Sequence, residues 1–248
     1  MKFSFVILTW NRYKFLEICL RSLIPSIDSP EQCEIIVMDN GSTDKTPEVL
    51  ARYAGNPLVQ VIVRDRNYGI DAYKKLFRHA RGEYIVIVDD DVLQFPPHLD
   101  RIFSEYMQAF PDYGLLALNV IQDERSNGAK PGPESYSLDT RDGKTIEQGP
   151  AGGWCTCFRQ SDYRKLWLRM LLRPWSMKAG EDSFLQNNFR KKLSLKGGII
   201  REAVCFHACG PYYAREYGHL EREIEKYTIS GLQSFVDHYS KYRDQPRS

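Results

Sequence analysis

Short, almost wholly apolar runs alternate with amphipathic stretches through the first half of the chain. Residues 3–9 (FSFVILT), 34–38 (EIIVM), 58–63, 84–88 (YIVIV) and 115–120 read as strands. Runs with so little polar alternation suit parallel strands covered on both faces. Between the first two, Leu16, Cys19, Leu20, Leu23 and Ile24 recur at i, i+3, i+4, i+7, i+8, and Pro25 follows. That spacing predicts a helix over 13–23 with one apolar face. Further helices are predicted to about residue 53, capped by Ser42 or Thr43, over 70–80, and from Pro96-Pro97 to about 110. Strand and helix in strict alternation imply a doubly wound, mostly parallel sheet. In such sheets ligands bind beyond the carboxyl ends of the strands, and Thr9, Asp39, Arg66 and Asp89 fall there.

The pattern then changes. Residues 122–150 are rich in Gly, Pro, Ser and charge, and predict a long mobile loop. A strand near 154–158, a helix over 161–170, a helix from about Glu181 and a strand near 199–206 form a second, smaller half. The polar and aromatic tail, 215–242, has helical stretches. We read residues 1–248 as a single domain: a nucleotide-binding half over 1–120, an acceptor-binding and catalytic half over 121–212, and a helical tail over 213–248.

Composition narrows the function. The 34 basic and 32 acidic residues nearly cancel, giving a formal charge of +2. A dedicated nucleic-acid binder carries a concentrated basic excess, so none is expected as a partner. No run of 18 apolar residues occurs and no leader pattern is recognisable. A cytoplasmic location is expected, with a possible peripheral contact at the inner face of the membrane through Arg215, Arg222, Lys226, Tyr227, Lys241 and Tyr242. A solvated helix face explains those tail residues equally simply. Six cysteines in such a chain are expected as free thiols. Cys155, Cys157, Cys205 and Cys209 lack the usual zinc-knuckle spacing, so buried small residues are favoured over a zinc site.

Asp89-Asp90-Asp91 carries the chemistry. Three adjacent carboxylates repel one another unless a cation compensates. In an extended segment Asp89 and Asp91 point the same way. A hard divalent ion held by such a D-x-D pair, with phosphate oxygens completing its shell, fits them. An acidic turn in solvent is the alternative, made less attractive by its place at the end of an apolar strand.

These residues also carry a resemblance. Ile7-Leu8-Thr9-Trp10-Asn11-Arg12, Ile36-Val37-Met38-Asp39-Asn40-Gly41-Ser42-Thr43-Asp44, Arg66-Asn67-Tyr68-Gly69 and Gly82-Glu83-Tyr84-Ile85 leading into Asp89-Asp90-Asp91 resemble family-2 glycosyltransferases of the GT-A fold. Gly180-Glu181-Asp182 resembles the acidic motif of their second half. The resemblance implies an inverting transfer from a nucleoside-diphosphate sugar, a UDP-sugar above all, to a saccharide or glycolipid acceptor. Surface polysaccharide or glycolipid assembly is the implied setting. It places Thr9, Asn11, Arg12, Asp39, Arg66, Asn67, Lys74, Asp89 and Asp90 around the nucleotide. Asp91, with Asp89 and His207, would hold Mn2+ or Mg2+. Asp182 would be the base that inversion requires, and Glu181 would orient the acceptor over Trp154 and Gly153. Two positions depart from the usual pattern: Leu8 stands where proline is common, and Lys74-Lys75 where Arg-Asn is. Arg173 and Lys178 are further candidates for the diphosphate, and closure of 122–150 would exclude water.

A sugar-nucleotide pyrophosphorylase is the competing enzyme reading, but its Gly-rich first loop is missing from Thr9-Trp10-Asn11-Arg12. A non-catalytic nucleotide-binding module is the third, and the full set of Asp39, Asp89, Asp91 and Asp182 argues against it.

Overall fold

The structure, a computed structural model, describes residues 1–125, 130–173, 175 and 180–243. In chain order the first half contains β1 (Phe3–Thr9), α1 (Tyr13–Leu23), β2 (Cys33–Asp39), α2 (Thr46–Ala51), β3 (Val59–Val63), α3 (Ala72–His79) and β4 (Tyr84–Asp89). A short β5 (Val92–Gln94), α4 (Leu99–Ala109) and β6 (Tyr113–Val120) complete it. The second half contains β7 (Ser137–Arg141), β8 (Lys144–Gln148), β9 (Cys155–Arg159), α5 (Gln160–Leu172), α6 (Glu181–Leu193) and β10 (Lys196–His207). Helices α7 (Pro211–Glu216), α8 (Leu220–Ile229) and α9 (Gln233–Ser240) end it.

One sheet runs β3-β2-β1-β4-β9-β6-β10-β8-β7, with β5 paired to β10. The β3-β2-β1-β4 block is parallel, so Thr9, Asp39 and Asp89 leave the sheet at one edge. β1 and β2 are buried along nearly their whole length, as runs without polar alternation require. Truncating Ile7 or Ile87 there to alanine would cost about 2–5 kcal/mol.

β9 breaks the parallel order. It lies antiparallel between β4 and β6. Its first residues therefore meet the last residues of β4, and Asp89 N donates to Trp154 O at 2.8 Å. β10 returns parallel to β6, so His207 arrives at the same edge. There β5 pairs with it, and Ala208 N donates to Asp91 O at 2.9 Å. The topology thus collects residues near 9, 89, 154 and 207 without any long loop.

Two boundaries and one segment differ from expectation. α2 starts at Thr46, where Asp44 Oδ1 accepts from Thr46 N at 2.9 Å, rather than at a Ser42 or Thr43 cap. α4 starts at Leu99 because His98 takes a left-handed φ of 63°. The expected mobile loop over 122–150 contains the β7-β8 hairpin. Asp142 and Gly143, with φ of 48° and 74°, turn it tightly, and β8 joins the sheet through β10.

Candidate active site

The acidic run lies where β4 turns into β5. Thr9 Oγ1, at the end of β1, donates to Asp90 Oδ2 at 2.7 Å. Arg12, just before α1, donates from Nη1 to Asp90 Oδ1 at 2.6 Å and from Nη2 to Asp91 Oδ2 at 2.5 Å. Asp90 is thereby turned inward as a structural tie. Asp89 and Asp91 both face His207, whose Nε2 stands 3.7 Å from Asp89 Oδ2 and 3.1 Å from Asp91 Oδ1. One donor atom from each of the three lies within 4.8 Å of the others.

The electrostatics follow from that crowding. Burial opposes ionisation of Asp91, but the Arg12 guanidinium and His207 hold its carboxyl well below the usual carboxylate range. Burial, then repulsion from Asp91, pushes Asp89 up to about 7. Burial likewise opposes charge on His207, and Asp91 more than reverses this, raising the imidazole above its ordinary value. A divalent cation at this point would take the place of the proton that Asp91 draws onto His207 and would favour the ionised form of Asp89. Two carboxylate oxygens and one imidazole nitrogen form a donor set suited to a divalent metal such as Mn2+. The residues present fit the expected ion.

This corner opens into a cleft of about 390 Å3, lined among others by Thr9, Asn67, Asp89, Asp91, Glu181 and His207. A neighbouring pocket of about 280 Å3 shares Asp89, Glu181 and His207 and adds Gly153, Trp154 and Asp182. Glu181 and Asp182 open α6 directly after Gly180, whose φ of 72° suits only glycine. Burial, then the charges of Asp89 and Asp182, pushes Glu181 up to about 8. Burial also raises Asp182. Gly153 makes room here, since a Cβ would sit 2.7 Å from Glu181 Oε1. A carboxylate with raised basicity beside a cation-binding triad can accept a proton while negative charge departs nearby.

The family model described as "Glycosyl transferase family 2" matches residues 4–167. The chain belongs to this family. A relative from Edwardsiella ictaluri, "Undecaprenyl-phosphate 4-deoxy-4-formamido-L-arabinose transferase", is 30% identical over 117 residues, covering 46% of this chain and 36% of its own length. Among solved structures, a mannosyltransferase from Pyrobaculum calidifontis "in complex with GDP-Man and Mn2+" is similar at TM-score 0.66 and 17% identity, covering 99% of this chain and 65% of that one. S. aureus TarS 1-349 "in complex with UDP-GlcNAc" is similar at TM-score 0.64 and 16% identity, covering 90% and 65%. The matched region is thus little more than a third of the curated relative's length. The two structures establish the likeness of fold, the GT-A architecture.

Within this family-2 fold the expected nucleotide residues divide. Thr9, Arg12, Asn67 and Asp89 line the cleft. Asn11 and Asp39 instead brace its loops. Asn11 Oδ1 accepts from Thr43 N at 2.7 Å, and Asp39 Oδ1 from Ser42 N at 2.9 Å. Arg66 lies over the Tyr68 ring at 4.9 Å, and its backbone leaves no room for a Cβ at Gly41. Lys74 pairs with Asp71 at 2.8 Å and lines a different depression, together with Lys75. Trp154 is a core residue at the site's edge: it is buried, its Nε1 donates to Leu118 O at 2.9 Å, and its ring lies 6.0 Å from that of His207. Arg173 is exposed at the end of α5, and Lys178 lies outside the described residues. Cys155, Cys157 and Cys205 are buried in β9 and β10, and Cys209 lines the cleft. Among the described residues, the one group arranged to hold a metal contains no cysteine.

Sequence reasoning missed the cleft's last wall. Arg222, Glu223, Lys226 and Tyr227 of α8 and Tyr239 of α9 line it. Arg222 Nε donates to Trp10 O at 2.8 Å, with the guanidinium 5.0 Å above the indole. Glu223 is buried among Arg12 at 3.3 Å, Arg222 at 2.6 Å and Lys226 at 2.5 Å. The tail residues Arg222, Lys226 and Tyr227, read above as a membrane contact or a solvated face, thus turn inward. A usable signal was present: Leu220, Glu223, Ile224 and Tyr227 share one helical face, and an acid within an apolar stripe needs a buried partner.

Proposed function

We propose that this chain transfers a sugar, with inversion, from a nucleoside-diphosphate sugar to an acceptor hydroxyl. The observation that carries the reading is the convergence of Asp89, Asp91 and His207 on one corner of the cleft that Glu181 also lines, beside Asp182. Those three would hold Mn2+ or Mg2+, whose charge would offset that of a diphosphate leaving group. Thr9, Asn67 and Asp89 contact the nucleotide directly. Asn11, Asp39, Arg66 and Asp90 shape its pocket, Asp39 facing uracil in a UDP-sugar. Arg222 and Lys226 add fixed cations on the opposite wall, a role Lys74 does not fill while paired with Asp71.

In the displacement the acceptor oxygen bonds to the anomeric carbon as the bond from that carbon to the diphosphate oxygen breaks. Asp182 takes the acceptor proton. Glu181 hydrogen-bonds the acceptor beside Gly153 and Trp154. Residues 1–120 then serve the donor and 121–212 the acceptor, while the tail over 213–248 closes the donor side. The neighbours' GDP-mannose and UDP-GlcNAc complexes support a nucleotide-sugar donor. The arabinose transferase relative, whose name carries undecaprenyl phosphate, supports a lipid-linked acceptor.

Titration with UDP-sugars, with and without Mn2+, followed by transfer assays, tests this. Asp91→Ala is expected to lose metal-dependent donor binding, and Asp182→Ala to keep binding and lose transfer. Normal transfer by Asp182→Ala removes the assigned base. Metal-independent binding in the unaltered protein removes the proposed cation.

A further inference from the structure

The outer face of α5 is unlike any other helix surface among the described residues. Trp167 (53% exposed), Leu168 (54%), Leu171 (40%) and Leu172 (73%) all lie in solvent. No other helix among the described residues carries more than one exposed large apolar side chain. Their spacing gathers them on one side of the helix. Tyr163, Leu166 and Met170 on the opposite side are buried. Arg164 and Lys165, a turn earlier, are exposed on the outward side.

A basic surface adjoins this apolar one. Leu171 borders a depression of about 440 Å3 whose walls include Arg64, Lys74, Lys75, Arg78 and His79, mostly from α3. Asp71 is the one acid in that lining, and it neutralises Lys74 at 2.8 Å. Asp162, buried, pairs with Lys165 at 2.8 Å. Arg64, Lys75, Arg78 and Arg164 remain around four apolar side chains.

We propose that the α3-α5 face docks on a bilayer surface rich in anionic lipid. The tryptophan and leucines enter the headgroup boundary, and the basic side chains meet lipid phosphates. Scattered exposed apolar residues need no explanation, but a clustered set with basic neighbours is what an interfacial helix presents. Charge argues against self-pairing, because a second copy would bring like charges together. No helix among the described residues is long and apolar enough to cross a membrane. The proposal stands apart from the transferase reading, since it uses no residue of the cleft.

The test is cosedimentation of the full chain with phosphatidylcholine vesicles, with and without phosphatidylglycerol, read beside sedimentation velocity without lipid. The protein is expected to pellet with the anionic vesicles and stay in solution with the neutral ones. Leu168→Ser with Leu172→Ser, and separately Arg78→Glu with Arg164→Glu, should each weaken binding roughly tenfold or more while far-UV circular dichroism is unchanged. Trp167 fluorescence, isolated by difference against Trp167→Phe, should shift to the blue on binding. Failure to pellet with anionic vesicles overturns the proposal, as does binding that both double variants retain. A lipid-free dimer that Leu168→Ser with Leu172→Ser dissolves would assign the face to a second copy instead.

Discussion

Glu223→Gln is the sharpest probe of how the C-terminal helices complete the cleft. The change keeps the shape of the side chain and removes its charge. That charge is 4% exposed and faces Arg12, Arg222 and Lys226, which are 12%, 14% and 23% exposed. Burial alone would disfavour the carboxylate, yet Lys226, Arg222 and Arg12 hold its carboxyl far below the usual range. Removing one partner of a buried ion pair costs about 3–5 kcal/mol. Here Arg12 keeps Asp90 and Asp91, and Lys226 reaches solvent, so the loss is smaller, about 2–3 kcal/mol. For a chain of this size that lowers Tm by roughly 5–10 °C. Thermal unfolding followed by circular dichroism reads the shift. Donor affinity, measured by titration calorimetry with UDP, should fall together with it, because Arg222 and Lys226 lose their anchor. A double-mutant cycle with Arg12→Gln should be non-additive by about 1–2 kcal/mol. An unaltered melting curve for Glu223→Gln would refute the idea that this ion cluster fastens α8 to the first half of the chain.

Other expectations are as direct. Burial, then the nearby Arg12, pulls His219 down to about 4 from an ordinary 6.5. The unfolded chain accepts a proton that the folded chain refuses, so this stability is complete above pH 6.5 and is lost as pH falls toward 4, by of the order of 3 kcal/mol. Urea unfolding across that range should show a flatter pH dependence for His219→Phe, and parallel curves would count against it. Gly153→Ala would set a Cβ 2.7 Å from Glu181 Oε1. Transfer should drop between about tenfold and a hundredfold with donor affinity little changed, and an unaffected rate would mean Glu181 does not position the acceptor.

Much of the first half was legible because its strands are buried on both sides. An apolar run such as 3–9 has no other comfortable place, and the predicted helix over 13–23 matches α1 residue for residue. The D-x-D argument reached the right pair by the wrong geometry: Asp89 and Asp91 do face His207 together, but through the turn at Asp90-Asp91 between β4 and β5 rather than through an extended pleat. The hairpin within 122–150 escaped notice because its strands are mostly solvent-facing. Of SLDTR and KTIEQ, only Ile146 is fully buried. The Asp142-Gly143 pair was the available clue, a dipeptide suited to two successive positive φ values. Partnerships between distant segments were beyond reach for a different reason. The pairing of Lys74 with Asp71, three residues earlier, was a local signal that could have been read, whereas nothing local in Trp10 announces Arg222.

That last contact joins residues 212 positions apart. Polypeptides are made from the amino terminus, so Trp10 must wait for 212 further residues before Arg222 of α8 reaches it. Arg12 is meanwhile neutralised by Asp90 and Asp91, which emerge much earlier, so the sheet can consolidate first. The cleft is consequently walled in only once α8 has been made: a nascent chain stopped before residue 220 would own its acidic triad yet lack the wall opposite it.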